Sequence, residues 1–423
     1  MVDRIGRPPP GSQPAPAPAA PTGPAHPVFP NVSPKVAPVD GMSPRRDPAV
    51  LNKLLRADGI APSGTAPQRR PILPIPPTEP CRLDEVMVAH YSLENLFDTA
   101  DDPATVDEDF TPQNKELPYT EALLSEHMKN MGAAIRSMNG GKGPDILSLT
   151  EVENRGVLDR FNAEALGDLG YQTVAHIEGE DSRGIEPAVL SRYPMIGQPV
   201  AHPVVDTNGK KQRAILEVTL NVNGNPLTVF VNHWVAGRGS DNPADHAKLV
   251  ERRKFAASVL QGLMDQKLAQ NPNSEFVVLG DFNESLNAEG LGSIKADTAE
   301  AARTSHKVFD TIDALEDMKE AAGDDGDKIQ LGTHFYAPRG SWNQFDHVLV
   351  SPTLLDGQGL AWVPGSTAVH TTDALRADSG APRRYFLPHF KGEPALVDHA
   401  GASDHFPVAM RLRITGADRQ PHH

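Results

Sequence analysis

Four apolar residues, Phe276 to Leu279, read as a buried strand that Gly280 breaks, and Asp281, Phe282 and Asn283 follow at once. The arrangement recurs along the chain. Glu151 follows "DILSLT", His233 follows "LTVFVN", Asp346 opens "HVLVS", and Asp404 with His405 opens "FPVAMRL". Short apolar runs bounded in this way suit strands covered on both faces. "VMVAHYSL", "EPAVLSRYPM", "RAILEVTLNV" and "NPLTVFVNHW" add further strand-like runs, two of them joined by the turn signal "NVNGNP". Between the strands lie stretches with helical spacing. Leu124, Met128, Met131, Ile135 and Met138 recur at steps of 4, 3, 4 and 3. Leu249, Ala256, Leu260 and Leu263 line one side of a second helix. Strands mixed with few helices and several hairpins predict a layered α/β sandwich more than a regular βαβ alternation.

Proline sets the limits of that sandwich. Of 40 prolines, 21 lie in residues 1–80, mixed with Ala, Gly and Ser and with too few large apolar residues to bury a core. Residues 1–81 are therefore expected to be a disordered Pro-rich tail, 82–416 one catalytic domain, and 417–423 a disordered C-terminus. Within the tail, "DPAVLNKLLRADGI" (47–60) reads as a transient helix, with docking to a partner protein as the alternative. The tail carries 9 Lys/Arg against 5 Asp/Glu, which leaves the remainder with 31 against 50. Such a balance argues against a broad basic nucleic-acid-binding surface, but not against a local cationic cleft or a bound divalent metal. The single Cys81 excludes intramolecular disulfides and any cysteine-based zinc site. No apolar run reaches the ~18 residues of a membrane span, and "MVDRIGRPPP" lacks the apolar core of a secretory signal, so a cytoplasmic protein is the default expectation, with a non-classical export route as the alternative; a monomer is expected.

Asp and Asn after a strand are common turn formers, and one such placement is ordinary. Five placements drawn from Asp, Glu, Asn and His would put hard oxygen ligands and two imidazoles on one rim, if the strands share a sheet edge. Carboxylates and an amide without cysteine suit Mg²⁺ or Mn²⁺. With histidines they supply the parts for phosphoester hydrolysis.

The segments "SLENLFDTADDP", "PDILSLTEVEN", "RGIEPAVLSRYP", "VNHWVAGRG", "LGDFN", "FDHVLVS" and "SDHFPV" occur in an order, across roughly residues 84–414, that resembles the endonuclease/exonuclease/phosphatase superfamily. "GDFN" or "SDH" alone would be weak; seven segments in register are specific. The likeness is greatest to bacterial nuclease-type members with "ENLFD" and "NHW". It implies a four-layer α/β sandwich of two mixed β-sheets flanked by helices, and a Mg²⁺-dependent phosphoesterase, with Mn²⁺ or Ca²⁺ as alternatives. By the same resemblance Glu151 is the principal metal carboxylate, Glu94 a second ligand, and Asp404 an acid that also reaches the metal. Asp281 and Asn283 match the pair that positions the attacking water and the scissile phosphate. His405 matches the histidine at the phosphate, Asp346 the acid that orients it, and His233 a second histidine. Arg238 is a phosphate-binding candidate with surface cover as its alternative. One position departs: Ser92 stands where the family carries Asn, which puts a phosphate or metal contact at that corner in question.

The remaining polar residues read more plainly. Glu153 is a surface or supporting acid, and Arg192 is structural. His90, His246, His334, His347 and His389 look dispersed, each satisfied or exposed rather than a ligand. Trp342 is a core aromatic or a contact to a base or sugar. The acidic stretch 98–118 is a poor phosphate clamp and a candidate cation site. The expected activity is hydrolysis of nucleic acid, DNA first and RNA second, by in-line attack of water. A phosphatase or phosphodiesterase acting on inositol phosphates, phospholipid headgroups or another small ester is the second reading. A catalytically weakened binding protein is the third.

Overall fold

The computed structural model describes residues 73–179, 181–206, 209–237, 242–285, 288–387 and 395–415. The Pro-rich segment up to residue 72, including the stretch 47–60 expected to form a transient helix, and the segment 417–423 lie outside these residues. The first four strands are β1 (Glu85–Leu96), β2 (Ile146–Val152), β3 (Thr173–His176) and β4 (Glu186–Ser191), with helix α1 (Glu121–Arg136) after β1 and α2 (Arg155–Ala165) after β2. Next come β5 (Val200–Val205), β6 (Lys211–Val222), β7 (Asn225–His233), the long helix α3 (Pro243–Gln270) and β8 (Glu275–Asp281). A stretch of shorter elements follows: α4 (Glu289–Ile294), β9 (Lys295–Ala296), α5 (Ala299–Ser305), β10 (Val308–Asp310) and α6 (Thr311–Ala321). The chain continues through β11 (His334–Tyr336), β12 (Ser341–Asn343), β13 (Asp346–Val350), β14 (Leu360–Trp362), β15 (Ala368–Val369), β16 (Phe386–Leu387), β17 (Leu396–Val397) and β18 (Val408–Ile414).

Two mixed sheets form the centre. The first has the order β14-β18-β1-β2-β4-β3, with β15 also on β18, and the second the order β5-β6-β7-β8-β13-β10-β9. Only β1 with β2, β7 with β8, and β9 with β10 run parallel. The sheets lie face to face, β1 packing on β8 and β13, β2 on β7 and β8, and β4 on β6 and β7. The inner strands β1, β8 and β13 are buried on both sides, which explains their unbroken apolar runs, whereas β5 and β6 toward the edge are partly exposed. Helices cover the outer faces, completing a four-layer α/β sandwich.

Local chemistry explains the helices. The Thr120 side chain accepts from Leu123 N at the start of α1, and Asn242, with Pro243 at the first helical position, starts α3. The predicted stripe Leu124, Met128, Met131, Ile135 and Met138 is buried, Met138 lying just beyond α1. In α3 the buried side is Ala256, Ala257, Leu260 and Met264 against Phe230, Phe276 and Val278. Leu249 and Leu263 are only half-buried: the first turns of α3 border a cleft at Leu249, and Leu263 packs at the edge of the core. The "NVNGNP" turn closes the β6–β7 hairpin with positive φ at Asn223 (51°) and Gly224 (94°), the twist-matched geometry of a two-residue hairpin loop.

The folded chain begins before Arg82. Asn139 N donates to Pro77 O at 2.7 Å, Gly140 N to Thr78 O at 2.9 Å and Cys81 N to Asn139 Oδ1 at 2.7 Å, so residues near 77–81 are fastened to the loop after α1. Proline lacks a donor but still offers a carbonyl, as Pro77 does here beside Thr78 O and the Cys81 N–H. Burial pushes the Cys81 thiol up to about 12, away from any thiolate chemistry. No helix among the described residues is long and apolar enough to cross a membrane.

Candidate active site

The strand ends named above meet on one rim. In the first sheet it carries Asp404 and His405 just before β18, Glu94 near the end of β1, and Glu151 near the end of β2. In the facing sheet it carries His233 at the end of β7, Asp281 at the end of β8, and Asp346 at the start of β13. The register is direct: His233 pairs with Asp281 and Asp281 with Asp346. A cleft of about 1310 Å³ opens there, lined by Glu151, His233, Asp281, Asn283, Asp404 and His405, among others.

Backbone irregularity aims the acids. The β1–β2 register slips between Ser92 and Leu96, and the β2–β4 register between Leu149 and Val152. Within these bulges Glu94 (φ 47°), Asn95 (φ 67°) and Glu151 (φ 64°) take the left-handed conformation, as does Asn283 (φ 51°) after β8. Non-glycine residues adopt it at a cost of about 1–3 kcal/mol each, and bulges of this kind re-aim side chains at a strand end. Four such residues on one rim are the strongest local sign that the rim is built for chemistry. Behind it Phe282 is fully buried, edge-on to Trp234 and His347.

The polar contacts form a connected set. Glu151 Oε2 accepts from Asn95 N at 2.9 Å, and its Oε1 lies 3.8 Å from His233 Nε2. The same Nε2 lies 3.7 Å from Asp281 Oδ2. Asn283 closes an Asx turn, its N donating to Asp281 Oδ1 at 2.8 Å. Its amide Nδ2 donates to Asp281 Oδ2 at 2.9 Å and to Trp234 O at 3.1 Å, so its side-chain donors fasten Asp281 to β7. His405 Nδ1 donates to Asp346 Oδ2 at 2.7 Å, while His90 Nε2 lies 3.2 Å from Asp346 Oδ1 and His90 Nδ1 is 3.0 Å from Ser148 Oγ. Glu94 is held on both oxygens, by Arg384 Nε at 2.9 Å and Tyr385 N at 2.6 Å, and Arg384 reaches on to Asp404 at 3.5 Å.

Burial and charge set the protonation states. Burial, with Asp404 nearby, raises the Glu151 pKa, and burial pushes Asp281 up to about 7. Glu94 is raised well above the carboxylate range by burial and Asp404, against the pull of Arg384. Burial opposes charging of His405, but the Asp346, Asp281 and Asp404 carboxylates outweigh it and hold its pKa well above the usual range. Asp346 is lowered, because His405 and His90 outweigh burial. His233 is driven far below its ordinary value by burial, with Arg213 and Arg183 adding to the effect, so it stays neutral. An excess of buried carboxyls that bind protons too tightly is what a cation site presents without its cation. The chain also brings His334, Asp404 and His405 together, their ligand atoms within 4.8 Å of one another.

The site includes residues that sequence reading set aside. His334, on β11, bridges to His405 across an isolated antiparallel pairing. His90 stands behind Asp346, and its signal was its place inside an apolar strand, where an imidazole needs a partner. Arg183, Arg213 and Arg384 also line the cleft. Of these only Arg183 falls in one of the family-like segments, "RGIEPAVLSRYP", and Arg213 has no local signal.

Other expectations separate from the cleft. Ser92 is fully buried, and its carbonyl accepts from Ser403 Oγ at 2.7 Å, while its own Oγ has no partner among the described residues. It does not line the cleft. Arg238 and His389 lie outside the described residues. Arg192 is tied to Asp145 Oδ1 at 2.6 Å and to Leu169 O at 2.7 Å. Glu153 caps the neighbouring loop through Asp98 N at 2.7 Å, and Trp342 stacks on Phe406.

Comparison with known proteins completes the picture. Residues 87–414 match the model of the endonuclease/exonuclease/phosphatase family. A search of curated proteins finds no match. Among solved structures, TDP2 from C. elegans is similar at 15% identity and a TM-score of 0.45, covering 78% of this chain and 75% of that one. An endonuclease/exonuclease/phosphatase protein from Beutenbergia cavernae is similar at 19% identity and a TM-score of 0.44, covering 79% and 72%. A mannosyl-6-phosphatase from Bacteroides thetaiotaomicron is similar at 15% identity and a TM-score of 0.44, covering 77% and 99%. With the family model matched over nearly all of the described chain, this protein belongs to the endonuclease/exonuclease/phosphatase family.

Proposed function

We propose that the chain is a divalent-metal-dependent phosphodiester hydrolase and that its substrate is nucleic acid, DNA before RNA. One observation carries the reading: a proton-hungry Asp281 and an Asp346-backed His405 face Glu151 across a cleft that gathers arginines in a protein of net charge −15. Such a site suits a phosphate that must meet both an activated water and concentrated positive charge.

In this reading Glu151 and Asp404 hold the metal, Mg²⁺ by their hard oxygens, with Glu94 supporting from the far side of Arg384. When bound, the ion supplies charge neutralisation at the phosphate. Asp281, fixed by Asn283, orients the water and takes up its proton, for which a pKa of about 7 is matched to neutral pH. His405, kept cationic by Asp346, faces the phosphate as proton donor or electrostatic partner. Neutral His233, between Glu151 and Asp281, donates a hydrogen bond without competing for the cation.

The test offers purified protein plasmid DNA, RNA, inositol phosphates and sphingomyelin with Mg²⁺, Mn²⁺ or Ca²⁺, with chelator and Asp281→Ala controls. Nicked plasmid that disappears in both controls is the expected result. Turnover confined to small esters would overturn the nuclease assignment and retain the hydrolase. No turnover of any substrate, with Asp281→Ala indistinguishable from wild type, would leave a binding protein.

A further inference from the structure

The rim does not end at Glu151 and His233. One strand further along each sheet stand the starts of β4 and β6, which bring Arg183, Lys211 and Arg213 to the cleft beside Asp181. Arg183 lies just before β4, and Lys211 and Arg213 open β6, with Lys210 preceding it. Both strands run antiparallel to their inner neighbours, so their starts sit beside the ends of β2 and β7. Because β4 packs on β6, Arg183 and Arg213 reach the same part of the cleft. Helix α3 adds Arg252 behind them, moored by Gln212 Nε2 donating to Arg252 O at 3.1 Å. All of these line the same cleft as the rim acids.

Two details mark the wall as built for an anion. The Arg213 side chain is only 11% exposed, yet its Nε has no hydrogen-bond partner among the described residues, and its nearest carboxylate, Asp181, is 3.6 Å away. Arg252 Nε is likewise buried without a partner. Buried donors left unmet are costly, about 1–3 kcal/mol each, and an arginine N–H is an anion ligand by geometry. Burial lowers the Arg252 pKa, while Asp206 and Asp181 favour its cation and Arg213 opposes it.

Resting on the nuclease reading, we propose that Arg213 and Arg252, with Arg183 at the inner edge, form a subsite for the phosphate next to the scissile one on the same nucleotide strand. Strands lie about 4.8 Å apart, so Arg213 on β6 stands one strand from His233 on β7 and two from Asp281 on β8, with Arg252 on α3 behind it. A monophosphate ester seated at the rim leaves this wall unused. A polynucleotide spans both. The acidic remainder of the surface confines the strand to this track.

The test uses the full chain and a short fluorescein-labelled single-stranded DNA, titrated by anisotropy in chelator over a range of NaCl. Arg213→Gln and Arg252→Gln are each expected to weaken binding about 5- to 20-fold and to reduce the slope of log K against log salt by about 0.7. Melting curves confirm that each is folded, and the two single variants are read independently. Equal binding by wild type and variants, or no binding by wild type, overturns the subsite. In Mg²⁺, the loss of kcat/KM on the same DNA should exceed the loss on bis(4-nitrophenyl) phosphate at least about fivefold. Equal losses on both overturn the proposal, because the arginines would then act on the reacting centre. DNA that is bound through these arginines but never cut would sink the nuclease reading and leave the subsite standing.

Discussion

His405 Nδ1 donates to Asp346 Oδ2 at 2.7 Å, and the other oxygen of that carboxylate lies 3.2 Å from His90 Nε2. One buried acid thus stands between two imidazoles, and only His405 opens to the cleft. Asp346→Asn removes the charge that keeps His405 protonated. The kcat is expected to fall about 100-fold or more with KM little changed, the range for a lost acid–base partner. The sign of the pH effect follows from the raised His405 pKa: its cation is present below that pKa and lost as pH rises through it. The alkaline limb of the kcat profile should therefore move to lower pH in Asp346→Asn. His90→Asn keeps a polar group beside Asp346 and should cost about tenfold, or ~1.4 kcal/mol. A profile unmoved by either variant would remove His405 from the reaction.

The raised carboxyls give a second prediction. Burial raises both Glu151 and Asp281, the latter to about 7. In the metal-free protein Asp281 holds a proton below that value and Glu151 binds one more tightly than an ordinary carboxylate, so a divalent cation at Glu151 must displace protons here. Metal affinity should rise with pH up to about 7 and level off above it. Calorimetry in buffers of different ionisation enthalpy should show about one proton released per Mg²⁺ near pH 6 and few near pH 8. Binding without proton release near pH 6 would contradict the assignment of Glu151 to the cation with Asp281 beside it.

Much of this site was legible because each apolar strand either ends or begins with a polar residue at the same rim, and strands that share a sheet must share an edge. Glu151, His233, Asp281, Asp346 and His405 needed no more than that. What stayed hidden depends on facing or distant segments. Arg213 and Arg183 meet only because β6 and β4 pack together, and nothing within either segment announces it. His334 comes to His405 through the β11–β12 hairpin, whose strands are three residues each and carry no periodic signal. The left-handed turns at Glu94, Asn95 and Glu151 are equally silent, since neither residue type demands positive φ. The hydrogen bonds that fasten residues 77–81 were masked by their proline content.

Two buried histidines away from the rim predict how stability depends on acid. His127 Nε2 donates to Ala402 O at 3.0 Å, and His370 Nε2 meets Ser137 Oγ at 2.6 Å. Burial lowers both to about 4. Their folded pKa lies below the unfolded value near 6.5, so the unfolded chain binds the extra proton first. The stability they contribute is fully present above about 6.5 and is lost as pH falls toward 4, at ~1.4 kcal/mol per unit per group. The raised rim carboxyls act in the opposite direction, so the comparison must be differential. His127→Gln retains a donor for Ala402 O but cannot titrate. Urea unfolding near pH 7.5 and near pH 5 should show a smaller acid loss in this variant, by about 1–2 kcal/mol. An identical acid loss would mean that His127 is charged in the folded protein.

Gly280 joins the sheet to the site and yields the sharpest stability test. Its φ is 147°, and a Cβ there would sit 2.0 Å from Asn232 O on the adjacent parallel strand. Backbone cannot retreat as a flexible side chain can, because Asn232 pairs with Gly280 inside a ladder buried on both faces. Gly280→Ala should therefore cost about 3 kcal/mol or more, the sum of a forced shift and an unfavourable φ. Asp281 is the next residue, so turnover should fall even under conditions where the variant remains folded. Gly262 provides the contrast: it lies inside α3, where an added Cβ meets nothing within 4 Å. Gly262→Ala should stabilise by about 0.5–1 kcal/mol through helix propensity and leave activity alone. Urea midpoints and initial rates on the two variants separate the readings. If Gly280→Ala were as stable and as active as wild type, β8 would not need a glycine to bring Asp281 to the rim, and the close approach to β7 would have no part in placing it.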